Sequence, residues 1–107
     1  MLVTSVLTDE SPEGSVDVVA VSEEGAWRTR TPRLSVSPPG AGDLTAAVFL
    51  ANLLDAHPKD VVLARTTSSV FAVVEATEAA GEREMQIVQS QELLAHPRME
   101  FVPERLR

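Results

Sequence analysis

The order of patterns along the chain predicts an α/β or α+β fold. Short β-branched runs near the start read as a strand and a hairpin, a glycine-rich turn at Gly40–Asp43 opens onto good helix formers, and a second helical stretch follows Pro58. At 107 residues a single domain is expected, since domains commonly hold about 100–150 residues. A hydrophobic share of 44% with 23% charged residues suits a globular protein rather than a disordered one. Aromatic residues make up only 4%, so the core has to be built from Val, Leu and Ala.

Residues Met1 to Leu7 form an apolar, β-branched run, expected to be a strand apolar on both faces, as central parallel strands are. Few parallel partners for it are visible in the rest of the chain, so something else is expected to cover it. TDESPEGS supplies turn residues, and Val16 to Val21 makes a second strand. SEEGA then turns the chain into WRTRT, where Trp27 and Thr29 alternate with Arg28 and Arg30 at period two. These runs predict a hairpin with one polar face, ended by Pro32. From Asp43 to about Ala56 the residues are apolar almost all the way round, which predicts a buried helix. A second helix is expected from near Pro58 to about Ala80, stopped by Gly81, with Val61, Val62, Phe71, Val73 and Val74 as its apolar positions. EMQIVQS predicts a late strand, Ser90 a cap for a short helix through Leu94, and the tail MEFVPERLR an edge segment.

The net charge of −7 argues against a nucleic-acid partner, which needs a positive field. It leaves room for a nucleotide held by backbone amides and a metal ion. The absence of cysteine removes disulfides, thiolate catalysis and zinc–cysteine sites, and suits the cytoplasm. No basic leader precedes the first apolar run, and no stretch reaches the ~20 apolar residues of a membrane span. A cytoplasmic protein with no membrane association is the expectation.

The main candidate site is PPGAGDLTAAVFLANLL, residues 38 to 54. Gly40 and Gly42 lack a Cβ, so the backbone there can take unusual dihedrals and approach a ligand closely. The amides of residues 41 to 43 would sit unpaired at a helix N-terminus, which is a ready anion site. Asp43 adds a carboxylate within reach of whatever those amides hold. Together they could deprotonate a hydroxyl and stabilise the charge on a transferred phosphoryl group. The same residues also suit a plain helix start, because Asp is a preferred N-cap and glycine a common loop residue. The turn is not a Walker A loop, since no Lys-Ser/Thr pair follows, and it lacks the third glycine of a dinucleotide fingerprint. His57 and His96 precede prolines at helix boundaries and read as solvated loop residues. Glu82, Arg83 and Glu84 read as a charged turn, Arg28 and Arg30 as the polar hairpin face, and Trp27 as packed on the sheet.

GAGDLTAAVFLANLL resembles the signature of the ribokinase-like superfamily of carbohydrate and vitamin kinases, in which a Gly-[Ala/Thr]-Gly-Asp turn opens a buried helix. LVTSV near the start and the late REMQIVQSQELLAHP narrow the resemblance to the C-terminal part of the pyridoxal kinases, and order and spacing agree from residue 1 to nearly 107. The late Val-Gln-Ser tripeptide separates that family from the sugar kinases better than the glycine turn does. The resemblance implies an αβα fold of which residues 1–107 are the C-terminal nucleotide-binding and catalytic portion, the N-terminal portion being absent. It implies ATP-dependent phosphorylation of the 5′-hydroxymethyl group of pyridoxal, pyridoxamine or pyridoxine, with Mg²⁺ and a monovalent cation such as K⁺, in a protein that is a homodimer at full length. Asp43 would be the general base, Gly40, Ala41 and Gly42 the amide donors to the γ-phosphate, and Thr4 and Ser5 the pair near the nucleotide phosphates. The segment Thr66 to Val70 would fall near the adenine. Pro39 departs from the usual aliphatic or aromatic residue before the first glycine, which bears on loop shape rather than chemistry. Other readings are a portion of a sugar or hydroxymethylpyrimidine kinase, the latter disfavoured because such enzymes commonly carry cysteine where Asp43 stands, and a non-catalytic interaction module.

Overall fold

A computed structural model describes residues 2–6, 14–32, 40–81, 85, 91–98 and 101–106. Along the chain run strands β1 (Leu2–Val6), β2 (Ser15–Ser22) and β3 (Gly25–Pro32), helices α1 (Ala41–Leu54), α2 (Lys59–Ala80) and α3 (Gln91–Ala95), and a two-residue strand β4 (Glu104–Arg105). The strands lie in one sheet in the order β1-β2-β3-β4. Every pairing is antiparallel. Within this chain β1 pairs antiparallel with β2 on one edge, and its other edge has no strand beside it among the described residues, in line with the expectation of few parallel partners.

The hairpin forms as the period-two pattern predicts. Ser22 pairs with Gly25 across a two-residue loop, and the register runs without a break to Ser15 opposite Pro32. Alternation then sorts the side chains by face. Ala20 and Trp27 pack with Leu63 of α2, with Leu2 and Val18 against them, and Thr29 hydrogen-bonds Thr67 across the same interface at 2.7 Å. The opposite face mixes Val19, Val21 and Ala26 with Asp17, Arg28 and Arg30. Asp17, buried there, accepts two bonds from Arg30, Nε at 2.7 Å and Nη2 at 3.1 Å. Arg28 lies 3.9 Å from the same carboxylate and bonds Glu104 at 2.6 Å. Burial of an unpaired Asp17 would be costly, and the arginines cancel that cost.

The tail closes the sheet as the expected edge segment. Trp27 and Arg28 pair with Arg105 and Glu104, the Arg105 guanidinium sits 5.5 Å over the Trp27 ring, and Phe101 meets Phe71 of α2 edge-on at 4.9 Å.

Helix α2 starts after Pro58 and ends at Gly81, whose φ of 67° is a left-handed C-cap that glycine takes without strain. Val62 and Val73 are buried as the pattern predicts, whereas Val61, Phe71 and Val74 are half-buried. The pattern did not anticipate a buried polar run, Thr66, Thr67, Ser68, Ser69 and Thr77. Helix α1 runs two residues earlier than expected and stops before Ala56, a left-handed residue at φ 60°. Its predicted burial is overturned: among its residues only Asn52 is buried, while Leu50 and Leu54 are 55% and 77% exposed. The described residues supply α1 with neighbours on one side alone. The late strand EMQIVQS and the Ser90 cap lie outside the described residues, apart from Met85, which is irregular. Among the described residues no helix is long and apolar enough to cross a membrane.

Candidate functional site

The site is built by the turn that opens α1. Gly40 occupies the N-cap position with φ 86°, a left-handed conformation that an L side chain resists. A Cβ there would meet Met85 Cε at 3.3 Å, a tight contact that the flexible methionine end can relieve, so it is the backbone conformation that favours glycine. The first helical bond is donated by the Leu44 N–H to the Gly40 carbonyl at 2.9 Å. The amides from Gly40 to Asp43 therefore precede the intrahelical ladder and stand at the positive end of the helix dipole.

This geometry corrects two details of the sequence reading. Asp43 is not the N-cap. It is the third residue of the helix and exposed, and no side chain caps the turn. As an acidic residue in the first turn, Asp43 still suits a helix N-terminus through the dipole. Gly42, where the lack of a Cβ allows unusual dihedrals, is an ordinary helical residue, and a Cβ placed on it would meet nothing within 4 Å. Glycine inside a helix costs about 0.5–1 kcal/mol relative to alanine. No neighbour among the described residues requires that cost.

Thr4 and Ser5 lie on β1, a different element from the turn. Leu2 and Val3 pair with Ala20 and Val19, but Val6 pairs with Asp17. Two residues, Thr4 and Ser5, thus stand opposite the single Val18, which is the pattern of a β-bulge. Bulges interrupt the ladder and redirect side chains, often beside active sites. The irregularity falls on the pair the sequence singles out. The hydrogen bonds of α1 run to α2: Arg65 Nε donates to Asn52 Oδ1 at 2.9 Å, and Asn52 Nδ2 reaches Thr66 Oγ1 at 3.4 Å. Asn52 is nine residues from Asp43, which places it on the opposite side of the helix at about 100° per residue. The clamp at Asn52 thereby turns Asp43 outward. Sequence reasoning missed Asn52; its one signal was a polar residue inside an otherwise apolar run.

Of the remaining candidates, Thr66–Val70 lies within α2, Thr66 to Ser69 buried and Val70 half-buried, with the Ser69 hydroxyl 3.4 Å from the Leu94 carbonyl of α3. Arg28 and Arg30 are engaged with carboxylates, and Trp27 is packed on the sheet. His96 is exposed and His57 half-buried. Pro39, Glu82, Arg83, Glu84 and the Val-Gln-Ser tripeptide lie outside the described residues.

No family model matches the chain. Pyridoxal kinase PdxY of Corynebacterium diphtheriae is 42% identical to it over 106 residues, 99% of this chain and 38% of that relative. The chain is homologous to the pyridoxal kinases. The match lies on their C-terminal part, and the chain spans well under half the length of these relatives. Among solved structures, a putative phosphomethylpyrimidine kinase from Bacteroides thetaiotaomicron superposes with a TM-score of 0.85 at 20% identity, over 98% of this chain and 37% of that one. The Plasmodium falciparum PdxK structure, which holds AMP-PNP and PL, gives a TM-score of 0.76 at 14% identity, over 99% of this chain and 37% of that one. At those identities the superpositions establish the fold, and the ribokinase-like architecture predicted for this α/β chain stands. The kinship with pyridoxal kinases rests on the sequence match.

Proposed function

We propose that residues 1–107 are the nucleotide-binding and catalytic portion of an ATP-dependent kinase that phosphorylates the 5′-hydroxymethyl group of a B6 vitamer. The observation that carries the proposal is the Gly40–Asp43 turn. It joins unpaired amides, an exposed carboxylate and an open space over Gly42 at one helix N-terminus, in a chain homologous to pyridoxal kinases. A phosphoryl group seated on the amides of Gly40, Ala41 and Gly42 would occupy the room that a Cβ at residue 42 would fill.

In this reading Asp43 accepts the proton of the acceptor hydroxyl as its oxygen bonds to the γ-phosphorus. The bond from that phosphorus to the bridging oxygen breaks, and ADP leaves with the electron pair. The amides stabilise charge on the non-bridging oxygens as it develops. Thr4 and Ser5 contact the nucleotide phosphates. Among the described residues no group of three or more His, Cys, Asp or Glu gathers to hold an ion. No step here runs through Mg²⁺ or K⁺.

The test joins this chain to the N-terminal part of a pyridoxal kinase and follows pyridoxal 5′-phosphate formation spectroscopically, with a panel of sugar and pyrimidine acceptors alongside. Asp43→Asn should lower kcat by about 10²–10⁴-fold, the usual share of a general base. Retention of full activity in that variant, or preference for a sugar or pyrimidine acceptor, would overturn the assignment. The 107-residue chain alone is expected to show negligible turnover.

A further inference from the structure

Between the end of the hairpin and the two long helices lies a recess of about 160 Å³. Ala20 and Trp27 of the sheet, Phe49 and Leu53 of α1 and Val62 of α2 make its apolar walls. The Arg105 guanidinium, 5.5 Å over the Trp27 ring and bonded to the Glu24 carbonyl at 3.0 Å, braces the sheet side. Two polar residues share the lining, Lys59 and Ser22. Lys59 is the first residue of α2 and half-buried, and its ammonium has no hydrogen-bond or ion-pair partner among the described residues. Both features disfavour a cation: burial strips its water, and the head of a helix is the positive end of the dipole. The acidic residue of that turn, Asp60, instead accepts the Val61 N–H at 2.9 Å. Ser22 Oγ accepts the Glu24 N–H at 3.2 Å, which leaves its O–H to donate. In a chain of net charge −7, an unpaired, half-buried lysine on an apolar recess calls for an anion.

We propose that this recess binds a small organic monocarboxylate, its carboxylate on Lys59 and Ser22 and an apolar group the size of one benzene ring between the walls. The size follows from the volume, since an apolar cavity of about 150 Å³ holds benzene. The charge follows from the polar rim. One ammonium and one hydroxyl match the two oxygens of a carboxylate, whereas a phosphate dianion would bring two charges to a single cation. The site is separate from the glycine turn. At 1.5 Å per residue, Phe49 and Leu53 stand about 12 and 18 Å along α1 from Ala41, towards the end of the helix away from Asp43. The inference uses only the recess and its rim, so it stands or falls apart from the kinase reading.

Trp27 is the only tryptophan in the sequence and lines the recess, so its fluorescence reads occupancy. Benzoate is titrated into the chain at constant ionic strength, with acetate as an anion without a ring and benzyl alcohol as a ring without a charge. Benzoate should shift the Trp27 emission saturably, with a dissociation constant on the order of 1 mM, the scale for so few atoms. Acetate and benzyl alcohol should each bind at least about tenfold more weakly, one lacking the apolar contact and the other the charge-assisted bond. Lys59→Gln should weaken benzoate by about tenfold or more and leave benzyl alcohol unchanged, and Lys59→Arg should restore most of the loss. Without ligand, Lys59→Gln should keep the circular dichroism of the parent chain. Its urea midpoint should be unchanged or raised, because an unpaired cation leaves a helix head. Four outcomes each overturn the proposal: no saturable response to benzoate, an equal response to acetate or benzyl alcohol, benzoate binding indifferent to Lys59→Gln, or a lowered urea midpoint in that variant, which would reveal a structural partner for Lys59.

Discussion

Helices α1 and α2 invert what their compositions suggest. The first is built from Ala, Leu, Val and Phe with few polar interruptions, and one of its residues is buried. The second carries charged residues and a run of threonines and serines, and nine of its residues are buried, five of them Thr or Ser. Hydrophobicity measures the gain available on burial; it does not say whether a chain contains the surface that would bury it. Helix α2 crosses the sheet and meets α1 and α3, so its centre is enclosed whatever its composition. Helix α1 has α2 and the hairpin end on one side and solvent on the other.

Stability measurements can break this comparison. Leu63 is fully buried against Ala20 and Trp27, and Leu63→Ala should lower the unfolding free energy of the chain by about 2–5 kcal/mol in urea titration. Leu54→Ala, the same change on the exposed stripe of α1, should stay within about 0.5 kcal/mol. Equal losses at the two positions would mean that α1 is covered in the isolated chain, and the inversion would fall. A smaller effect, of opposite sign in two readouts, is expected at Gly42. Gly42→Ala should raise helix stability by about 0.5–1 kcal/mol while lowering phosphoryl transfer in the complete kinase, because the methyl group enters the space left for the ligand. A variant both more stable and equally active would remove the reason offered for that glycine.

The smallest expected effect sharpens the other half of the comparison. Ser68 of α2 is buried, and its hydroxyl has no hydrogen-bond partner among the described residues. Its neighbours behave differently: Thr67 bonds Thr29, Thr66 meets Asn52, and Thr77 donates to the Val73 carbonyl at 2.8 Å. Ser68→Ala removes a polar group whose desolvation nothing offsets, so denaturation should find it neutral or more stable by less than about 1 kcal/mol. Thr67→Ala leaves the Thr29 hydroxyl without its partner and should destabilise, in contrast to Ser68→Ala. If both substitutions destabilise alike, the hydroxyl of Ser68 has an unrecognised partner in solution.

Local signals marked much of the fold in advance. Pro58 and Gly81 bracket α2 because one residue cannot donate a backbone bond and the other takes a left-handed cap freely. The alternation of Trp27 and Thr29 with Arg28 and Arg30 placed the two faces of β3, since side chains on a strand must point to opposite sides. The glycine turn was legible for the same kind of reason: Gly40 sits where φ is positive, a conformation that a side chain resists. Less could be read where the outcome depended on distant partners. The run LVTSV looks alike in a central parallel strand and in an antiparallel edge strand, because its composition reports burial and not the direction of a neighbour. The bulge at Thr4 and Ser5 follows from the register with β2, which no property of those two residues reveals.

By itself, then, the sequence determined the local conformations, meaning the hairpin, the limits of α2 and the glycine turn with Asp43 in its first helical residues. Those are settled by sterics and backbone hydrogen bonding within a few residues. Only the tertiary structure decided which face of α1 looks outward, why polar Thr66–Ser69 are buried, and that Asp17 is paired with Arg30. These depend on contacts between segments far apart in the chain, where the free energy of each side chain is set by what stands opposite it.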